Sequence, residues 1–184
     1  MTYNEWLLRL QTAAVTTNND TTFLDYVPNF IDLAEQQCYR DLDLLSTVVR
    51  DTTSSCVTGT RNFTLPSSGG RFVVVNGINV VTPFGVTVSS GTRNRLTQLS
   101  LDALDVLWPT NTAASATTVP QYFAMITDQT LAFGPPPGNA FQVEVIGTVR
   151  PSPLSPTNTT TYLTLYLPDL FFAASMVAVA GYQR

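Results

Sequence analysis

The sequence predicts an α+β fold. An N-terminal helix pair and a C-terminal helix pack together, and an antiparallel β-domain, sandwich or barrel-like, is inserted between them. In the first quarter of the chain, apolar residues recur at helical spacing. From Val48 to Val149, Thr and Val alternate between breaks at Gly and Pro, as in strands and turns. We therefore expect a helical domain of residues 1–47 plus 163–184 and an inserted β-domain of residues 48–162.

Two helices are predicted before the β-domain. Thr2 and Glu5 form the T-x-x-E pattern of a capping box ahead of an apolar run that starts at Trp6, and the polar residues 16–20 should end this first helix. Pro28 fits the first turn of the second helix, where a missing N–H costs nothing. The apolar stripe of the second helix recurs every three or four residues: Val27, Ile31, Ala34, Cys38, Leu42 and Leu45.

The β-domain is predicted from seven or eight short alternating segments. A short helix with Ser100 as its N-cap interrupts them, and a helix from Pro168 to about Tyr182 follows the domain. The predicted turns and breaks are Thr58-Gly59, Asn76-Gly77, Ser90-Gly91 and Thr127–Gln129.

The last predicted strand, Phe141–Val149, lies between two proline clusters. Phe141, Val143 and Val145 give it one apolar face, and Pro135, Pro136 and Pro137 precede it. Because prolines fix φ and remove N–H donors, they can hold a strand in place and protect its ends from unwanted pairing. Such a strand can present a constant surface to a neighbouring molecule, or the prolines can simply end strands in an ordinary sandwich.

Composition removes most of the catalytic repertoire. The chain has no His, and all nine of its basic residues are Arg. Without His there is no Ser-His or Cys-His pair and no imidazole metal ligand, and without Lys there is no Schiff base. The sequence therefore predicts a protein that is not an enzyme and that carries no cofactor or metal.

Charge gives two further expectations. Charged residues make up 12% of the chain, about half the usual share, and Thr, Ser and Asn replace them. This favours either a surface packed against other proteins or a secreted β-domain with a Thr-rich surface. The net charge is −4 and the arginines are scattered, so we expect no specific binding of nucleic acid.

Cys38 and Cys56 are expected to be buried small hydrophobes rather than partners in a disulfide. No basic segment followed by an apolar one marks a signal peptide, and the most apolar run, Leu170–Ala180, is too short to span a bilayer. The sequence thus predicts a soluble protein made in a reducing compartment, without membrane contact.

Paired carboxylates are the remaining catalytic candidates. Asp32 and Glu35 lie three residues apart on a predicted helix, as do Asp102 and Asp105, and a glycosidase needs two carboxylates that flank a bond. Both pairs lie in early helical turns, however, where acidic residues favour the helix dipole without any further role.

Five segments, in order, resemble the head-to-tail adaptor proteins of short-tailed, podovirus-like bacteriophages. They cover about 160 residues, although the family's Tyr near the end of the last strand is replaced here by Gly147-Thr148-Val149. The matching segments are FLDYVPNFIDLAEQQCYRDL, FTLP, RNRLTQLSLDALDVLWP, VPQYFAMITDQTLAFGPPPGNAFQVEVIGTVRPSPLS and YLPDLFFAAS.

This resemblance implies a structural virion protein at the head–tail junction, assembled in the host bacterial cytoplasm. Its subunits would form a ring, as a dodecamer, between the portal protein ring and the tail tube or nozzle protein, and the genome would pass through without being bound specifically. The apolar segment around Phe171, Phe172 and Tyr182 would contribute to docking, unless it only packs against the second helix. Pro135, Pro136 and Pro137 are further candidate contacts.

Two other functions remain open. A β-sandwich that binds a glycan or receptor, as a tail module does, predicts a sugar-binding face and no dependence on a portal. A glycosidase that uses only carboxylates predicts hydrolysis that is lost when Asp102 or Asp105 is changed.

Overall fold

The computed structural model describes residues 1–14, 21–42, 44–113 and 115–182. It confirms a mixed α+β fold, and the chain forms two compact units: a helical unit, Met1–Ser46 with Pro151–Arg184, and a β unit, Thr47–Arg150. The helices are α1 Tyr3–Ala13, α2 Thr21–Asp41, α3 Leu101–Leu107, α4 Tyr162–Tyr166 and α5 Pro168–Tyr182. The strands are β1 Val48–Asp51, β2 Asn62–Thr64, β3 Arg71–Thr82, β4 Thr92–Arg95, β5 Thr97–Gln98, β6 Tyr122–Met125, β7 Thr130–Gly134 and β8 Val143–Arg150.

Helix α1 begins as the sequence predicts. The backbone N–H of Thr2 donates to Oε2 of Glu5 at 2.8 Å, one half of the predicted capping box. Tyr3, Trp6 and Leu10 are buried on one face of the helix. The predicted end of this helix, residues 16–20, lies outside the described residues.

Helix α2 differs from the prediction at both ends. It begins at Thr21, so Pro28 lies two turns inside the helix rather than in its first turn, and the expected position was wrong. Burial of Phe23 and Val27 accounts for the extra turns, because their contacts with the core offset the hydrogen bond that Pro28 cannot donate. Leu45 was also wrongly placed on the buried stripe: it follows α2 in a short 3-10 turn and is 89% exposed.

The C-terminal helices complete the helical unit. Helix α5 was predicted, whereas α4 was not, because five residues are too few to show helical periodicity. Helix α5 packs against both α1 and α2. The buried apolar residues of this unit are Tyr3, Trp6, Leu10, Ala14, Phe23, Val27, Phe30, Ile31, Ala34, Cys38, Leu154, Leu163, Phe171 and Val179.

The β unit is a sandwich of two four-stranded sheets, and its described strands do not close into a barrel. Sheet I has the order β1-β8-β3-β4 and sheet II the order β2-β7-β6-β5. All pairs are antiparallel except β5 with β6. The apolar core between the sheets comprises Cys56, Phe63, Leu65, Phe72, Ile78, Val80, Leu96, Phe123, Leu131, Phe133, Phe141, Val143, Val145 and Val149.

Several local predictions for the β unit are confirmed. Strands β6 and β7 form the expected hairpin, and Phe141, Val143 and Val145 are all buried. Helix α3 has Ser100 as its N-cap, whose Oγ accepts a hydrogen bond from the N–H of Ala103 at 3.3 Å. The hairpin and the cap depend on contacts between residues that are close in sequence, whereas the burial of β8 follows from its alternating pattern and from packing with distant residues.

Two predictions for β3 and β4 were wrong. Strand β3 is not broken at Asn76-Gly77, since a shift in register between Val75 and Gly77 accommodates these residues as a bulge. The residues before Ser90-Gly91 form turns rather than a strand, and β4 pairs with β3 instead. Residues Asn79–Thr82 of β3 already belong to sheet I, and β4 pairs with this edge of the sheet. A hairpin that turned at Ser90-Gly91 by itself would have no such sheet to extend.

Helix α3 covers the outer face of sheet II. Leu104 packs on Ala124 and Ala132, and the Trp108 ring lies 5.4 Å from that of Tyr122. This is the one helix in the described part of the β unit, so no helix of that unit covers the outer face of sheet I.

Candidate functional site

One carboxylate of the pair on α3, that of Asp105, anchors the helix. Asp105 accepts a hydrogen bond from the guanidinium of Arg61, and Nη1 of Arg61 donates to the carbonyl of Trp108 at 3.2 Å. These bonds attach the end of α3 to the segment before β2. Asp102 lies exposed in the first turn of α3, where its charge favours the helix dipole.

The carboxylate pair on α2 is similarly engaged. Glu35 is fully buried, and both of its carboxylate oxygens lie 3.2 Å from the backbone N–H of Leu154. Asp32, nearer the surface, accepts a hydrogen bond from Nε2 of Gln36 at 2.5 Å. The two carboxylates therefore serve different neighbours and do not flank a common space.

Neither cysteine is in a reactive environment. Both thiols are free and buried, as predicted. Burial raises the pKa of Cys38, and the nearby carboxylates of Glu35 and Asp41 raise it further. Burial raises the pKa of Cys56 to about 11. Among the described residues, no group of three or more Cys, Asp or Glu side chains could hold a metal ion.

The proline cluster before β8 is held by backbone contacts. Pro136 and Pro137 are buried and Pro135 is half-buried. The carbonyl of Pro137 accepts the N–H of Gly59, and the N–H of Gly138 donates to the carbonyl of Thr118, both at 2.8 Å. These contacts fix the cluster between two loops of the β unit.

Two of the predicted docking residues face the helical core. The Phe171 ring is fully buried and stacks on Trp6, with ring centroids 4.6 Å apart. The Phe172 ring meets Trp6 edge-on at 6.0 Å, and the guanidinium of Arg9 lies 4.1 Å from its centroid. The side chain of Tyr182 lies outside what the structure describes.

The opposite side of the C-terminal helices is apolar and exposed. Tyr166 is 68% exposed and Val177 67% exposed. From Leu170 to Tyr182, α5 has no charged residue. We call this surface the α4–α5 apolar face, and its members are Tyr162, Leu165, Tyr166, Leu170, Ala173 and Val177. The sequence signal for it was a helix that is apolar all round, which ordinarily needs contacts on more than one side.

A second exposed surface lies on the outer face of sheet I. Glu144 is 0% exposed there, although it lies on the face opposite the core. Its carboxylate oxygens lie 3.6 Å from Nη1 of Arg50 and 3.1 Å from Nε of Arg93, and one accepts the Asn79 amide at 2.6 Å. We call the surface formed by Arg50, Arg93 and Arg95 around Glu144 the arginine face.

Arg95 completes the arginine face. It pairs with Asn79 across the strands, and its Nη2 donates to the carbonyl of Asn76 at 2.9 Å. The arginines are scattered along the sequence, so this surface was not predicted. The spacing of Arg93 and Arg95 was a local signal, because residues two apart on a strand share a face. The position of Arg50 depends on strand pairing and could not be read from spacing.

A groove of about 290 Å³ lies within the β unit between β3 and β6. It is lined by Val73, Val74 and Met125, with Gln98 and Asp128 as its polar residues. The aromatic residues at the groove, Phe72 and Phe123, are buried in the core, so they do not form the exposed platform on which a sugar ring stacks.

An α+β fold with one exposed apolar surface and one exposed arginine-rich surface, in which Asp105, Glu35 and Asp32 form structural hydrogen bonds, is typical of a protein that works by assembling with other proteins. A family model described as the SU10 adaptor protein matches residues 1–184, and the chain belongs to this family of phage head–tail adaptors. No curated protein matches the chain. No helix in the described part of the chain is long and apolar enough to cross a membrane.

Family membership fixes the general role. The protein is a structural phage protein, its location is the virion, and its role implies association with other head and tail components rather than catalysis. The resemblance noted in the sequence is therefore confirmed at the level of the phage adaptor family.

Proposed function

We propose that this protein is the head-to-tail adaptor of a short-tailed phage. Twelve copies form a ring between the portal and the tail tube or nozzle, and the genome passes through it. The proposal is supported by the family match over all 184 residues and by the order of the matching segments along the chain. Such a protein acts in an ordered assembly. Its subunits first bind the completed portal and then form the surface to which the tail attaches.

The observation that carries the proposal is the α4–α5 apolar face. Leu170, Ala173 and Val177 follow at spacings of three and four residues, so they form one stripe along α5. Contiguous exposed apolar surface of this kind commonly marks a contact with another protein. We assign the portal ring as its partner.

The predicted docking residues take two roles in this proposal. Phe171 and Phe172 pack against Trp6 of α1, and this packing fixes the position of the α4–α5 apolar face on the opposite side of α5. Tyr182 remains proposed as a direct contact, and so do the prolines at 135–137, of which Pro135 is half-buried.

Charge bears on the passage of the genome. The chain has a net charge of −4 and no lysine. A ring of such subunits repels duplex DNA on average, since binding to DNA requires basic groups that neutralise phosphates. Tight binding of the isolated protein to duplex DNA at physiological salt would contradict a channel that lets DNA pass.

Native mass spectrometry of the full chain, alone and mixed with portal rings from the same phage, tests the proposal. The expected result is a chain that is monomeric alone at physiological salt and loads the portal in one fixed multiple. A chain that does not bind the portal contradicts the proposal. A glycan array would then test the alternative of a receptor-binding tail module.

A further inference from the structure

The arginine face is a rigid array of positive charge. Burying a carboxylate is costly unless it is paired and hydrogen-bonded, and Glu144 meets both conditions through Arg50, Arg93 and Asn79. The guanidinium groups are thereby held in place while about half of each arginine side chain stays accessible. The side chains of Arg50 and Arg93 are 60% and 43% exposed, whereas that of Glu144 is 0% exposed.

Arg95 is fixed independently of Glu144. Its guanidinium lies over Gly77, where a Cβ atom would come within 2.9 Å of Cζ of Arg95. Its hydrogen bond to the Asn76 carbonyl holds it there. Three arginines and one carboxylate give the arginine face a charge of about +2.

Exposed valines adjoin the arginines. Val48 of β1 and Val74 of β3 both pair with Thr148 of β8, so the three residues share one row on the same face. Both valines are about half exposed. Apolar groups beside fixed charges are typical of a surface that contacts another protein, and no helix of the described β unit covers them.

The charge of the chain is divided between its two units. The helical unit has eight carboxylate residues and three arginines, a formal charge of −5. The β unit has five carboxylate residues and six arginines, a formal charge of +1. A partner complementary to the arginine face therefore exists in every other copy of this chain.

An acidic surface that is complementary to the arginine face lies on the outer side of α2. Asp25, Asn29, Asp32 and Gln36 follow one another on one side of the helix, and Asp25, Asn29 and Gln36 are exposed. We call these four residues the acidic stripe. The two carboxylates are seven residues apart, about 10 Å along the helix. Asp32 is held by the amide of Gln36 at 2.5 Å.

We propose that the arginine face of one copy docks on the acidic stripe of α2 in a second copy. This inference rests on the proposed function, since it names the contact between neighbours in the ring. A contact between two arginine faces would be repulsive, which excludes a symmetric pairing through this surface. A contact between two different surfaces is head-to-tail, the kind that closes into a ring.

Charge reversal provides the test. The β-side variant is Arg50→Gln with Arg95→Glu, which leaves the bonds of Arg93 and Asn79 to Glu144 intact. The α-side variant is Asp25→Arg with Asp32→Arg. A combined variant carries all four changes and restores opposite charges across the contact. Asp41→Arg with Asp102→Arg is the matched control, because it makes the same change in charge outside the acidic stripe.

Sedimentation velocity of the full chain at low salt measures association between free copies, and native mass spectrometry of portal-bound chains measures ring filling. Each separate variant should weaken association roughly tenfold, as like charges across a contact do, and the combined variant should return to within about twofold of the original. The control should stay near the original value. Association should also fall as salt is raised.

The outcomes separate this inference from the proposed function. Full loading of the portal by every variant, with unchanged self-association, overturns the inference and leaves the adaptor role intact. Charge-dependent self-association in a chain that does not bind the portal supports the inference and overturns the adaptor role. The inference is also overturned if wild-type chains associate neither as free copies at low salt nor when bound to the portal. It is also overturned if the β-side variant loses binding to duplex DNA while its self-association is unchanged.

Discussion

The indole of Trp6 and the ring of Phe171 stack with an interplanar angle of 17°, and both side chains are fully buried. One lies in the first helix and the other in the last, so this contact joins the two ends of the chain within the helical unit. Its main consequence is mechanical: the exposed stripe of α5 is held in place by the contacts on its opposite side.

Phe171→Ala should destabilise the helical unit by about 3–5 kcal/mol, because it removes a fully buried ring and leaves a cavity beside Trp6. Denaturant unfolding followed by the fluorescence of Trp6, in a background where Trp108 is replaced by Phe, measures this change. Leu165→Ala, at an exposed position, is the control and should cost about 0.5 kcal/mol or less. Equal losses for the two variants would contradict the packing described for Phe171.

Leu170→Glu with Val177→Glu should abolish loading onto the portal without unfolding the protein. Leu170 is 43% exposed and Val177 67% exposed, so the charges can reach water in the free chain but would have to be buried in the contact. Native mass spectrometry with portal rings gives the loading, and circular dichroism checks the fold. Val106→Glu, which adds charge at an exposed apolar position on α3, should load normally. Normal loading by the double variant would exclude the α4–α5 apolar face as the docking surface.

Glu35→Ala should cost about 1–3 kcal/mol, because it leaves the buried N–H of Leu154 without its acceptor. Glu35→Gln keeps an acceptor oxygen and should cost less. Hydrogen exchange at the Leu154 amide measures the local effect and should quicken more in the alanine variant. Identical exchange in the two variants would show that this bond does not hold the segment.

Gly147→Ala and Gly77→Ala should differ strongly. A Cβ at Gly147 would collide with the backbone carbonyl of Val74 and come within 3.0 Å of the Phe72 ring, so we expect a loss of about 1–3 kcal/mol or more. The nearest atoms to a Cβ at Gly77 all belong to the end of the Arg95 side chain, whose displacement would cost its hydrogen bond to Asn76 but require no backbone shift. Thermal unfolding of the two variants decides this, and a larger loss at Gly77 would contradict it.

Stability should fall at alkaline pH in part through Cys56. Its pKa is raised by burial to about 11, so the folded state favours the neutral thiol. This contribution is complete below the pKa of an unfolded-chain thiol, about 8.5, and is lost as pH rises toward 11. The free energy of unfolding measured from pH 8 to 11 should therefore decline less steeply in Cys56→Ala. Parallel curves for the two proteins would contradict the raised pKa.

Local signals predicted those parts of the fold that depend on neighbours in sequence. The capping box at Thr2, the cap at Ser100 and the hairpin of β6 and β7 each need only a few adjacent residues, and all three are present. The start of α2 was missed because Phe23 and Val27 are stabilised by residues distant in the chain. Burial of these side chains outweighs the local preference of Pro28.

The candidate surfaces were harder to predict. The arginine face unites β1, β3, β4 and β8, and only strand pairing brings Arg50 near Arg93. The apolar character of α5 was visible in the sequence, but which side faces the core was not. Phe171 and Leu170 are adjacent and both apolar, yet Phe171 is fully buried and Leu170 is 43% exposed.

The insertion of the β unit between α2 and α4 has a consequence for synthesis. The β unit, Thr47–Arg150, contains all the strands of its two sheets and can close its core while the chain is still being made. The core of the helical unit includes Phe171 and Val179 of α5, so we expect α1 and α2 to complete their packing only after the β unit and α5 have been made. A prematurely terminated chain therefore lacks both the support of α5 and its exposed stripe. We therefore expect chains that stop before α5 not to compete with complete subunits for contacts made through that stripe.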